Sequence, residues 1–167
     1  MTVKSANIHA TCILCAEAGR AFGTPADSGV LLLGESGSGK SDLALRLMGM
    51  GALLVADDRC EIFFDRVLRA RAPGNMAGLM EIRGLGIAAL PHAPAARIAL
   101  VARTTRPRGI ERLPERRCYT PPSILAVPDS LRPPEIDLDA LAASAPARIL
   151  AAVVAFENYL FREEIPG

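Results

Sequence analysis

Lysine is nearly missing from this chain. Of its 19 basic residues only Lys4 and Lys40 are lysine, and the rest are arginine. The imbalance reads first as a genome composition bias. Even so, the one interior lysine stands where phosphate chemistry would want it. Excess charge is missing too: the formal net charge is +1, which argues against a nucleic-acid partner. No apolar run reaches the roughly 18 residues of a membrane helix. The start, Met1 to Asn7, is not followed by the long apolar core of a signal peptide. The chain is therefore expected in the cytoplasm, with no membrane partner. Metal-type spacing is incomplete as well. Cys12-x-x-Cys15 is half a zinc or redox pattern, and no second such pair or His pair completes it. Residues three apart on a strand face opposite sides, so these two thiols should not meet. With Cys60 and Cys118 they are expected as reduced, mostly packed thiols.

What is present is a core-forming chain of 167 residues, half of them hydrophobic. That length and composition predict one folded domain over 1–167 and exclude general disorder. The most informative stretch is Gly34, Glu35, Ser36, Gly37, Ser38, Gly39, Lys40 and Ser41, which fits the P-loop pattern G-x-x-x-x-G-K-[ST]. A β-type run, Gly29 to Leu33, precedes it. Apolar residues at 43, 44, 47 and 48 follow it at helical spacing. The glycines let the backbone turn tightly and aim N–H groups inward, and the helix start adds partial positive charge. Lys40 then suits the β- and γ-phosphates of a nucleotide, and the Ser41 hydroxyl suits Mg²⁺.

Around this loop the chain predicts a mixed sheet. Residues 8 to 16 read as a first strand opened by His9, and 19 to 28 as a turn into an antiparallel P-loop strand. A lone histidine is more often structural than catalytic. Gly49 to Gly51 stops the P-loop helix, and Ala52 to Ala56 forms a strand ending in Asp57-Asp58. Reached through a helix, that strand should run parallel to the P-loop strand, with its acidic end at the phosphate edge. Neighbouring strand residues face opposite ways, so the two aspartates should differ in task. One can hold a Mg²⁺-bound water or take a proton from an attacking hydroxyl. Residues 59–64 and 67–72 predict two strands around Asp65-Arg66, and 73–78 a loop. Residues 79–87 predict a strand with a bulge or tight bend. Glu81 and Arg83 on it suit either a surface pair or a metal and a phosphate. Residues 96–102 predict a strand, and the arginine-rich 103–117 a solvated or mobile loop. Residues 121–127 predict a short strand and 128–138 a loop. A final helix over 147–164 is expected, with Ser144 as its cap and Pro146 in its first turn.

Taken together, His9, the loop Gly34 to Ser41, Ala56-Asp57-Asp58 and Glu81-Ile82-Arg83-Gly84-Leu85-Gly86-Ile87 occur in the order that resembles the catalytic C-terminal domain of HPr kinase/phosphorylase. The resemblance covers roughly residues 9 to 127. It implies an α/β fold with a P-loop nucleotide-binding sheet of mixed parallel and antiparallel strands, similar to the phosphoenolpyruvate carboxykinase nucleotide-binding domain. It implies an ATP- and Mg²⁺-dependent protein serine kinase acting on HPr, the phosphocarrier of the sugar phosphotransferase system. Residue by residue, Lys40 and the amides of 34–41 would bind phosphates, and Ser41 and Glu81 would ligate Mg²⁺. Asp58 would be the proton acceptor, and His9 the active-site histidine that positions or tunes it. Arg112, in Ile110-Glu111-Arg112-Leu113, looks like the family's mobile-loop arginine.

The resemblance also has gaps. It implies a short form without the family's N-terminal domain and with a reduced C-terminal tail. Residues 17–28 make a longer connection than usual. No counterpart appears of the P-V-x-P-G-R-N-type segment tied to dephosphorylation; the nearest position reads Pro133-Pro134-Glu135-Ile136-Asp137-Leu138. The kinase reaction is thus better supported than the phosphorylase. The family's hexamer makes a homo-oligomer an open expectation. Two other readings remain: a P-loop kinase or NTPase on another substrate, or a nucleotide sensor that transfers nothing. The intact Asp58 and Glu81 speak against the sensor.

Overall fold

The computed structural model describes residues 3–106 and 110–161. In chain order its strands are β1 (Ser5–His9), β2 (Thr11–Leu14), β3 (Ser28–Leu33), β4 (Leu53–Ala56), β5 (Arg59–Asp65), β6 (Val67–Arg71), β7 (Leu79–Ile82), β8 (Gly86–Ala89), β9 (Ala96–Thr104), β10 (Arg117–Cys118) and β11 (Pro134–Leu138). Its α-helices are α1 (Lys40–Gly49) and α2 (Ala145–Glu157). Most strands join one mixed sheet in the order β1-β5-β6-β9-β3-β2-β4, while β7 and β8 form a separate two-stranded sheet.

The centre of the sheet follows from its sequence. Every residue of β3 is buried, so the strand is apolar on both faces. Val30 and Leu32 point to the side where α1 and α2 bring Leu43, Leu47, Ile149 and Leu150. Leu31 and Leu33 point to the other side, among Cys60, Ile62, Leu68, Leu125 and Val127. β9 runs parallel to β3 with an extra residue between Gly29 and Val30 in register. That irregularity explains why the consecutive residues Ala99 and Leu100 both join the helix-side core.

β2 lies between β3 and β4 and is antiparallel to both. The strand after α1 is therefore parallel to the P-loop strand, as expected, but is not its neighbour. The edge that matters gathers the C-terminal ends of β3, β4, β9 and β11 with the N-terminal end of β2. Cys12 and Cys15 fall into the two opposite cores, as their spacing requires, and the four cysteines are free, with Cys118 exposed.

Several expectations need correction. Residues 8–16 are two strands, not one. β1 ends at His9 and pairs with β5, and β2 starts at Thr11 and pairs elsewhere. His9 thus closes a strand and does not open one. The bend at Ala10 lets two short strands serve distant parts of one sheet, a tertiary demand that local propensity does not show. Residues 79–89 form the β7–β8 hairpin, and Arg83 lies in its turn, where the Leu85 N–H donates to Ile82 O at 2.9 Å. Residues 121–127 are not a strand. The 3-10 turn Ser123–Leu125 follows Pro121-Pro122, and Ala126 has φ 51°. The expected loop 128–138 ends instead in β11, parallel to β9; Pro134 is its first residue, where proline is tolerated. α2 stops at Glu157, short of the expected 164. Asn158 Nδ2 donates to Val154 O at 2.9 Å and Tyr159 takes φ 54°, which ends the helix. Ser144 makes no capping hydrogen bond, although Pro146 sits in the first turn as expected.

Candidate active site

The loop Gly34 to Gly39 joins β3 to α1, and three of its residues require glycine. Gly34, Gly37 and Gly39 have φ 148°, 79° and 93°. A side chain at Gly34 would also collide with Thr104, whose Oγ1 lies 1.9 Å from where a Cβ would sit. Thr104, at the end of β9, donates to Leu33 O at 2.9 Å. Its single proton being used there, it accepts from Ser38 Oγ at 2.6 Å. The neighbouring strand therefore braces the loop from below.

Among the described residues no side chain caps the N-terminus of α1, so its first-turn N–H groups are available to an anion. Lys40 is the first helical residue and is buried. Its Nζ donates to Gly34 O at 2.9 Å and to Glu35 O at 2.8 Å, which leaves one of three ammonium donors unused. Burial pulls this ammonium below its ordinary pKa, while the nearby carboxylates of Asp58 and Asp57 pull it back up.

The two aspartates after β4 part company as strand geometry predicts. Asp57 is buried; its Oδ1 accepts from Thr11 Oγ1 at 2.8 Å and from Ser41 Oγ at 3.0 Å. Asp58 is exposed on the other side of a sharp turn. The Arg59 N–H donates to Asp57 O at 2.7 Å, and Asp58 sits at the apex with φ 62°. That is a γ-type turn with a non-glycine residue in a costly conformation. Asp58 Oδ1 lies 3.1 Å from His9 Nδ1.

One cleft of about 500 Å³ gathers His9, Thr11, Lys40, Ser41, Asp57, Asp58, Glu81 and Arg83. A second cavity, of about 880 Å³, lies across the loop and includes Ser38, Arg103, Thr104, Arg106 and Leu141. Arg46 donates to the carbonyls of Ala140 and Ala142, which fixes Leu141 at the mouth of both.

The structure therefore brings together His9, the loop 34–41, Asp58 and Glu81. Arg112 is exposed and lines neither cavity. The arginine-rich stretch is less free than its composition suggests. Arg103 belongs to β9 and Arg117 to β10, and both bind Glu135. Residues 107–109, in the middle of that stretch, lie outside the described residues. From sequence alone the two aspartates share their candidate tasks without being told apart, and nothing marks Thr11 or Thr104.

The residues suit a magnesium–nucleotide group. A Cβ at Gly34 or Gly39 would strike Thr104 and Ser38 or Leu141 and Ala140, so the loop holds its tight turn beside the cleft only as glycine. The donors facing the cleft are hard oxygens: the Ser41 hydroxyl and the carboxylates of Asp57, Asp58 and Glu81. Among the described residues no group of three or more His, Cys, Asp or Glu is placed to hold a metal unaided. Mg²⁺ is usually held by one or two protein carboxylates plus substrate phosphates, so the two observations agree.

The fold is a known one. The Hpr(Ser) kinase/phosphatase from Coxiella burnetii superposes with a TM-score of 0.72 at 21% identity, over 93% of this chain and 92% of that one. The mixed α/β sheet is thus the one found in that protein. At the level of sequence, residues 24–93 match the model of the HPr Serine kinase C-terminal domain. The HPr kinase/phosphorylase of Clostridium novyi is 48% identical over 64 residues, which is 38% of this chain and 21% of that protein. That of Peptoclostridium acidaminophilum is 54% identical over 61 residues, or 35% and 20%. The matched stretch spans about a fifth of these relatives. The chain thus resembles the HPr Serine kinase C-terminal domain in sequence across the loop, the aspartates and the β7–β8 hairpin, and the Coxiella protein in fold across nearly its whole length.

Proposed function

We propose that this chain is an ATP- and Mg²⁺-dependent kinase that phosphorylates a serine of an HPr-type phosphocarrier. The observation that carries the proposal is the placement of Asp58. It projects from a strained turn into the cleft that also holds Lys40 and Ser41, with His9 at 3.1 Å. The names of the matched relatives supply the acceptor class.

Phosphoryl transfer needs positioning and charge neutralisation more than covalent chemistry. Lys40 and the free N–H groups of the loop and α1 would hold the β- and γ-phosphates. Ser41 and Glu81 would be the protein's ligands to Mg²⁺, which when bound neutralises charge on the transferring group. A serine hydroxyl is a poor nucleophile, and a carboxylate in hydrogen-bond reach helps by taking its proton. The new bond joins the serine oxygen to the γ-phosphorus, the bond to the β–γ bridging oxygen breaks, and the proton passes to Asp58. His9 would orient that carboxylate. Arg112 is kept for the acceptor-facing loop, outside the cleft itself. The same reading takes the sheet as a relative of the phosphoenolpyruvate carboxykinase nucleotide-binding domain.

The test is a transfer assay with Mg²⁺, γ-labelled ATP and HPr-type carriers, followed by mass mapping of the label. Asp58→Ala should keep nucleotide binding and lose about 10²-fold or more in transfer. Lys40→Ala should lose nucleotide binding itself. Tight ATP binding without transfer to any carrier would move the assignment to another acceptor or to a sensor.

A further inference from the structure

Thr11 is the least expected member of the site. It is fully buried at the head of β2, one step beyond the Cys12–Ala56 pair that joins β2 to β4. Because the strands are antiparallel, that step puts Thr11 opposite Asp57. Cys12 and Ala56 face one core, so Thr11 and Asp57 face the other, on the side of α1 and Ser41. The result is a three-residue relay from three elements. Thr11 of β2 and Ser41 of α1 both donate to one oxygen, Oδ1, of Asp57 after β4.

The two donors are not equivalent. Ser41 lines the cleft at the start of α1, and its hydroxyl is one of the groups that the site would offer to a cation. Any such use takes a donor away from Asp57. Thr11 has no competing side-chain partner among the described residues, and although it borders the cleft its side chain is fully buried. It is the donor that stays. A buried carboxylate left with no donor would be costly and free to rotate. With Oδ1 held by Thr11, Oδ2 would be left to meet a metal-bound water when magnesium is present.

We infer that Thr11 is a positioning residue: it holds the Asp57 carboxylate in place for magnesium-dependent nucleotide binding once Ser41 is engaged elsewhere. This rests on the nucleotide-binding reading above, but not on the identity of the acceptor. Partners of this kind, behind a metal's own ligands, typically change metal affinity by ~10–100-fold.

The experiment measures ATP affinity by calorimetry with excess Mg²⁺ and again with EDTA, for the parent, Thr11→Val and Thr11→Ser. The ratio of the two affinities is the magnesium gain. Thr11→Val keeps the shape and removes the donor; it should leave the EDTA affinity alone and lower the magnesium gain about 10-fold. Thr11→Ser should restore it. If Thr11→Val fails to fold, Thr11→Cys takes its place, with a thiol that donates only weakly. An unchanged gain, an equal loss in Mg²⁺ and EDTA, or no rescue by serine would each overturn the inference. A parent protein that binds ATP with no magnesium gain would instead overturn the nucleotide–magnesium reading, and this inference with it.

Discussion

Replacing Asp58 separates backbone strain from chemistry. Asp58 takes φ 62° at the apex of the turn closed by the 2.7 Å bond from the Arg59 N–H to Asp57 O. Asp58→Ala and Asp58→Gly remove the same carboxylate and the same 3.1 Å contact with His9, so those losses cancel between them. Packing loss is small in both, because the Asp58 side chain is 68% exposed. What differs is the backbone. A left-handed conformation costs an L-residue with a Cβ about 1–2 kcal/mol. Glycine avoids that but carries about 0.4–1 kcal/mol more unfolded-state entropy. Asp58→Gly should therefore be the more stable of the two by about 1 kcal/mol, or about 2–4 °C in Tm for a domain of this size. Thermal unfolding by circular dichroism reads the difference, with urea curves checking that the slopes match. Both variants should be equally poor in transfer. An Asp58→Ala protein clearly more stable than Asp58→Gly would refute the strain, and with it the view that the turn is held in tension to present the carboxylate.

Two further outcomes follow from the loop and from β5. Gly34→Ala places a Cβ 1.9 Å from Thr104 Oγ1 and 2.8 Å from Ser38 Oγ, so it should cost about 2 kcal/mol in overpacking and abolish nucleotide binding. An unchanged melting curve and affinity would show that β9 does not brace the loop. The Glu61 carboxyl is held at about 2, below its ordinary 4.5, chiefly by hydrogen bonds from Arg71 and then by one from Ser5. A depressed folded pKa means stability that is present above 4.5 and lost as pH falls towards 2. Glu61→Gln should flatten that part of the acid limb of a Tm–pH curve; parallel curves for the two proteins would refute it.

How much of this was legible varies with the range of the interaction. The strand, loop and helix around Lys40 could be read because each signal lies within about one turn or one strand of its neighbours. The parallel direction of β4 and the split between Asp57 and Asp58 followed from connection rules and from the two-residue period of strands. The EIRGLGI run is legible as a motif, but its hairpin form is not, since a glycine pair fits a bulge as well as a turn. β11 was hidden behind Pro133-Pro134 and acidic residues. It exists because β9 extends past β6 and offers an edge to pair with. The arginine stretch looked free by composition, yet Glu135 of β11 binds Arg103 and Arg117.

By itself, then, the sequence determined the phosphate-type loop, the acid pair after the next strand, and the resemblance that goes with them, because local spacing encodes local geometry. Tertiary structure alone decided that β2 would lie between β3 and β4. That placement sets Thr11 against Asp57, and the parallel run of β9 beside β3 sets Thr104 beneath Gly34. Sheet register depends on which strands pair at long range, and a buried hydroxyl has no sequence signature apart from the partner it meets.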